Sequence, residues 1–161
     1  MIRGFIKPFN HFFVLIVFKG NNVRHQSFSS KGIPYVMVAR GGTFCIGKEF
    51  TMNNGIRGNP IGCYDRCTFF VDRNAILTIG NNVGVSQTAI ACYKSISIGD
   101  DVKIGGGVKI YDTDFHSLNP TIRASKNDQS HKVVAPVVIK NNAFIGAFSI
   151  ILKGVTIGES S

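Results

Sequence analysis

The side chains able to do acid–base chemistry near neutral pH are few. Of four histidines, His11 and His25 lie near the start, and His116 and His131 lie in the second half. His116 stands in the string Tyr111-Asp-Thr-Asp-Phe-His-Ser117, where two carboxylates, Asp112 and Asp114, precede it. An imidazole near a carboxylate can be held in one tautomer and present its other nitrogen as a base. The plain alternative is a loop histidine bonded to a neighbouring acid, and the string alone does not separate the two. His131, in Ser130-His131-Lys132, is the rival. Cys63 and Cys67 form an isolated C-x3-C. A zinc site needs a second ligand pair at metal spacing, and none follows, so these thiols, with Cys45 and Cys92, read as structural and no metal is expected.

The elements that must position these residues follow from a six-residue step. Aliphatic anchors recur at Ile79, Val85 and Ala91, at Ile98, Ile104 and Ile110, and at Ile139, Ile145, Ile151 and Ile157. A small or β-branched residue precedes most of them by two, and Gly follows at Gly80, Gly99, Gly105, Gly146 and Gly158. One extra residue falls between Ala91 and Ile98. A short fixed period means a solenoid, each coil burying its apolar side on the next. Three sides of about six residues make a triangular coil of short parallel strands, stacked at about 4.8 Å. An amphipathic helix would instead place apolar residues at i, i+3, i+4 and i+7, and would avoid Gly and β-branched residues. Ile110 and Ile139 are 29 residues apart, so 23 residues leave the coil as a loop, 113–135, and His116 and His131 lie on it.

The 161 residues fit one domain, with a helical segment at 1–22 and a β-solenoid over 23–161. Turn signals at Asn53-Asn54-Gly55, Gly58-Asn59-Pro60 and Gly62 mark an excursion near 53–68. The segment MIRGFIKPFNHFFVLIVF at 1–18 is apolar and basic but too short to span a bilayer, which takes about 20 apolar residues. It reads as a helix packed on the body, with peripheral membrane contact as the alternative. Net charge is +9, but the 18 basic residues form no run and no nucleic-acid motif, so nucleic acid is not an expected partner. No secretory signal stands out, so a cytoplasmic setting is expected, at the inner membrane face if residues 1–18 touch lipid.

The repeat, with the strings Ile98-Gly-Asp-Asp-Val-Lys-Ile-Gly105, Tyr111–Ser117, Val138-Ile-Lys-Asn-Asn-Ala-Phe-Ile-Gly-Ala147 and Ile151-Leu-Lys-Gly-Val-Thr-Ile-Gly158, resembles the hexapeptide-repeat acyltransferases. Among these it is similar to galactoside and maltose O-acetyltransferases and to those of capsular or exopolysaccharide synthesis. The resemblance covers residues 44–161. It implies a left-handed parallel β-helix; the left hand comes from the resemblance, since general crossover rules favour the right. It further implies acetyl transfer from acetyl-CoA to a hydroxyl of a sugar or oligosaccharide acceptor, in a homotrimer with active sites between subunits. On this match His116 is the general base, and the surroundings of His131 do not fit the motif. Asp114 or Asp112 would fix the tautomer or bind the sugar. Gly146 and Ala147, with Lys153, would contact CoA, Phe144 stands where relatives carry Trp, and Ser86 and Gln87 fall where relatives place an acceptor-contacting Asn.

Relatives continue past the position of Ser161, which falls four residues into a new coil. The resemblance therefore leads us to expect a truncated copy, with a catalytically impaired β-helix scaffold as one alternative reading. N-acetylation of a nucleotide-linked amino sugar is another. A zinc hydratase on such coils would need three converging histidines, and only His116 and His131 lie in the repeats.

Overall fold

The computed structural model describes residues 3–161, with side chains from Phe9 onward. The side chains of Arg3 and Lys7, which belong to the membrane-contact reading, lie outside the described residues. Helix α1 (Arg3–Gly20) leads into five triangular coils. Coil 1 holds β1 (Arg24–His25), β2 (Phe28–Lys31) and β3 (Tyr35–Val38). Coil 2 holds β4 (Thr43–Ile46), β5 (Phe50–Asn53), a short helix α2 (Gly55–Gly58) and β6 (Thr68–Val71). Coil 3 holds β7 (Ile76–Ile79), β8 (Gly84–Ser86) and β9 (Ala89–Cys92), and coil 4 holds β10 (Ser95–Ile98), β11 (Lys103–Ile104) and β12 (Lys109–Tyr111). The loop then carries α3 (Pro120–Arg123) and a 3-10 turn at Asp128–His131. Coil 5 holds β13 (Val137–Ile139), β14 (Phe144–Ile145) and β15 (Ile150–Ile151), and β16 (Thr156–Ile157) follows.

Every third strand pairs in parallel, giving three flat faces. Face 1 is β1-β4-β7-β10-β13-β16, face 2 is β2-β5-β8-β11-β14 and face 3 is β3-β6-β9-β12-β15. The anchors stack inward in register. Ile46, Ile79, Ile98 and Ile139 run up face 1, and Met52, Val85, Ile104 and Ile145 run up face 2. All of these are buried.

Face 3 departs from the six-residue count at one place. Ile90, not Ala91, pairs with Ile110, and Ile90 and Cys92 are buried while Ala89 and Ala91 are half-exposed. The corner before β9 is one residue shorter than the period, and a one-residue slip turns each side chain of a strand to the other side. Gln87, at φ +42°, makes that tighter corner. Coil 1 also extends the solenoid back beyond the apparent first repeat at Ile46. Its strands lack the aliphatic period because α1, rather than another coil, covers them. Val14 and Phe18 of α1 are fully buried, and the Phe18 ring lies 5.1 Å from that of Phe28 on β2.

The corner between faces 1 and 2 explains the Asn and Asp doublets. Asn82, Asp101 and Asn142 have φ of 53°, 60° and 60°, the left-handed region that Asn and Asp tolerate best after Gly. The residues just before them form a ladder. Asn81 Oδ1 accepts from Lys48 N, Asp100 Oδ1 from Asn81 N, and Asn141 Oδ1 from Asp100 N. Gly80 serves a different need: a Cβ there would lie 2.7 Å from the carbonyl carbon of Gly99 on the next coil.

Candidate functional site

The 112–136 loop leaves the corner between faces 3 and 1. Its neck is tied by an antiparallel bridge, Thr113 to Val134, and by Ala135 N donating to Asp112 O at 3.0 Å. Beyond the neck the chain turns sharply. Phe115 has φ +63°, Thr113 Oγ1 accepts from Phe115 N, and the Phe115 ring sits edge-on to Tyr93 and Tyr111. A left-handed conformation at a bulky residue is costly and persists only where packing enforces it. Here it swings His116 out of the coil, leaving its side chain 60% exposed.

His116 Nδ1 lies 2.6 Å from Asp128 Oδ2, and the other carboxylate oxygen accepts from Ser117 N at 2.7 Å. These bonds hold the Asp128 carboxyl below the usual aspartate range, the bond to His116 foremost. An ionised carboxylate only accepts, so Nδ1 carries the proton, and in the neutral ring the lone pair is on Nε2. Among the described residues Nε2 has no protein partner. An imidazole anchored through Nδ1, with Nε2 unbonded, therefore stands at this corner. His131, by contrast, uses its Nδ1 on Asn127 O and Ser130 Oγ within its own turn.

The carboxylates expected to orient His116 are engaged elsewhere. Asp112 is fully buried; its Oδ1 accepts from Tyr93 N at 2.6 Å and its Oδ2 from Lys94 N at 2.7 Å. It pins coil 4 to the corner of coil 3 and is closed to an acceptor, which corrects its assignment as a substrate contact. Asp114 pairs through Oδ1 with Lys153 Nζ at 3.1 Å, while its Oδ2 is buried and unbonded. That pair brings Lys153 to the His116 corner. Asp128 lies 12 residues from His116 within an aperiodic loop, and only the acid opening a polar turn hinted at it.

Gln87 is likewise corrected. It is fully buried, and the two hydrogens of its Nε2 are shared among the carbonyls of Gly55, Asn59 and Cys63, stapling the 54–67 excursion to coil 3. Ser86 Oγ accepts from Asn53 Nδ2 at 3.0 Å. Gly146 and Ala147 are exposed at the corner between faces 2 and 3 of coil 5, with Phe144 exposed on β14 below them. They lie on a different corner from His116, so one chain does not bring these residues together with the histidine.

Two buried thiols, Cys67 and Cys92, are poor nucleophiles. Burial pushes Cys67 up to about 11, and burial with the charge of Asp112 pushes Cys92 up to about 12. All four cysteines are free, and among the described residues no three His, Cys, Asp or Glu side chains converge as metal ligands would.

A column of cations shares the His116 corner. Register aligns Val38, Val71 and Cys92, so Arg40, Arg73 and Lys94, each two residues on, stack up coils 1 to 3. All three are exposed, and none makes an ion pair among the described residues. Arg40 and Arg73 line a shallow cleft of about 380 Å³ with Gly41 and Asn74. Lys132, from the loop, caps the column with its ammonium 4.2 Å above the Tyr93 ring.

No family model and no curated protein matches the chain. A solved structure does: a point mutant of AntD, an N-acyltransferase from Bacillus cereus, in complex with dTDP and coenzyme A. The alignment covers 86% of this chain and 68% of that one, at 20% identity and a TM-score of 0.59. The fold is the left-handed parallel β-helix. At this identity the likeness fixes the architecture, and the left hand agrees with the sequence resemblance rather than with general crossover preference.

Proposed function

We propose that the chain is an acyltransferase that moves an acetyl group from acetyl-CoA to a hydroxyl of a sugar or polysaccharide precursor. The observation that carries this reading is the His116–Asp128 pair, which leaves Nε2 free as a base on the exposed loop that leaves coil 4. Sugar hydroxyls ionise far above neutral pH, so attack on a thioester needs such a base within hydrogen-bond reach. His116 Nε2 takes the hydroxyl proton as the oxygen bonds to the thioester carbonyl carbon. The tetrahedral adduct then collapses, the C–S bond breaks, and the leaving thiolate takes the proton back from His116. Asp128 stabilises the imidazolium between these steps. The raised Cys67 and Cys92 thiols favour direct transfer over a cysteinyl intermediate.

Coenzyme A is the proposed donor because the fold neighbour was crystallised with it and because Gly146 and Ala147 offer an exposed corner. Since that corner and His116 lie apart on one chain, we place the complete site between two copies, in a homotrimer. A second reading, N-acylation of a nucleotide-linked amino sugar, is favoured by the Arg40–Arg73–Lys94 column, which suits an acceptor phosphate, and by the dTDP in the AntD complex. Thiol release from acetyl-CoA, assayed against neutral sugars, amino sugars and their nucleotide derivatives, tests both. His116→Ala should lower the rate by about 10²–10⁴ with CoA binding unchanged. A variant keeping more than about a tenth of the rate would refute the base.

A further inference from the structure

The pole of the solenoid closed by α1 differs from the rest in two independent respects. The first is apolar. While Val14 and Phe18 face coil 1, Phe9, Phe12 and Ile16 are 63%, 59% and 51% exposed. Positions 9, 12, 16 and 19 recur at steps of three and four, so these three residues and Lys19 form one stripe along the outer side of the helix. Aligned large hydrophobic side chains on a surface mark an interaction site more often than chance exposure does.

The second is electrostatic. Residues 1–64 contain eight Lys and Arg against one acid, Glu49, whereas 65–161 contain ten against eight. In a solenoid, position in the sequence is position along the axis. The chain's basic residues look scattered in the sequence, yet seven of its nine net charges fall within residues 1–64, on α1, coil 1 and coil 2 as far as its excursion. Lys19, Arg24, Lys31 and Lys48 are exposed there, and none forms an ion pair among the described residues. Lys19 and Arg24 share the lining of one cleft beside the helix.

An apolar stripe alone would suit a second copy of the chain. A stripe rimmed by unneutralised cations is repelled by its own copy and matches a surface that is apolar below and anionic above. We propose that this pole seats on an anionic lipid bilayer, with Phe9, Phe12 and Ile16 in the headgroup boundary and the basic residues on the lipid phosphates. No helix described here is long and apolar enough to cross a membrane, so the contact is interfacial. Seated so, the solenoid stands on its end. Coil 4, from which the His116 loop leaves, lies about 14 Å along the axis from coil 1, three strand spacings up the cationic corner.

The test is co-sedimentation of the full chain with vesicles of phosphatidylcholine alone and of phosphatidylcholine mixed with phosphatidylglycerol. Binding is expected only to the mixed vesicles, and is expected to weaken with salt. Lys19→Glu and Arg24→Glu should each weaken partitioning about fivefold or more. Phe12→Asp should remove binding, while Lys140→Glu, an equal charge change on coil 5, should leave it intact. Phe12 is exposed, so an unchanged melting temperature will show that Phe12→Asp still folds. Equal binding to neutral vesicles, or none to either, overturns the proposal. So does a wild-type oligomer that Phe12→Asp dissociates without any vesicle binding. Acyl transfer to a soluble acceptor, measured on the same proteins, should not change with Phe12→Asp, which keeps this test separate from that of the proposed reaction.

Discussion

Replacing Asp128 with Asn probes the base without removing it. The carboxylate makes two bonds, to His116 Nδ1 at 2.6 Å and to Ser117 N at 2.7 Å. Asparagine has the same size, so the loop can keep its path and Ser117 N can still donate to the amide oxygen. The amide NH2 then faces Nδ1 and demands its lone pair. The ring proton moves to Nε2, the atom that must accept the substrate proton, and the imidazolium loses its counter-charge. A general base is worth about 10²–10⁴ in rate; Asp128→Asn keeps the ring but spoils its tautomer, so kcat should fall about ten- to a hundredfold. The His116 ring is 60% exposed to solvent, which argues for the lower part of that range. KM for acetyl-CoA should stay nearly constant, because Asp128 touches the base and not the donor corner. Steady-state thiol release separates kcat from KM, and 15N shifts of the His116 ring report the tautomer directly. A kcat within about twofold of wild type with unchanged ring shifts would show that Asp128 does not orient the base. The same pair sets an acid dependence. Asp128 is depressed in the folded chain, so its contribution is complete above the ordinary aspartate value of about 3.9 and is lost as pH falls through the lower native value. Protection factors across 112–136, with the intrinsic pH dependence of amide exchange divided out, should therefore fall only in that acid range, and Asp128→Asn should abolish the step.

Three further predictions concern the scaffold. Asp112→Ala leaves the amides of Tyr93 and Lys94 without their acceptor and should cost about 2–4 kcal/mol by urea denaturation, with KM for any acceptor unchanged in the folded fraction. A raised KM at unchanged stability would instead return Asp112 to the substrate. Gln87→Leu removes the donor to three carbonyls and should expose 54–67 to limited proteolysis, at a cost of about 1–3 kcal/mol; cleavage as slow as in the wild type would show that the staple is dispensable. Asn142→Val should destabilise by about 1–2 kcal/mol because of its φ of 60°, whereas Asn142→Gly should be nearly neutral. Equal melting temperatures for the two variants would contradict the strained-corner account.

The amino-acid sequence by itself determined the coil. A solenoid repeats the same short-range geometry, so inward anchors, corner glycines and the interrupted step after Ile110 are all written at fixed intervals and survive reading one residue at a time. The phase of that repeat also separated His116 from the coil. Where local geometry broke the interval, the reading slipped: the tight corner at Gln87 turned Ile90 inward in place of Ala91, and α1 replaced the pattern expected of coil 1. The partners of the site were decided by tertiary structure alone. Nothing periodic links His116 to Asp128, Asp112 to the amides of Tyr93 and Lys94, or Gln87 to the carbonyls of a distant excursion. Each is a single contact between segments whose approach depends on loop closure. Their residue types fit several roles until burial and distance select one. The stacking of Arg40, Arg73 and Lys94 is of the same kind: they lie 33 and 21 residues apart along the chain, and neighbours only once coils are laid on coils.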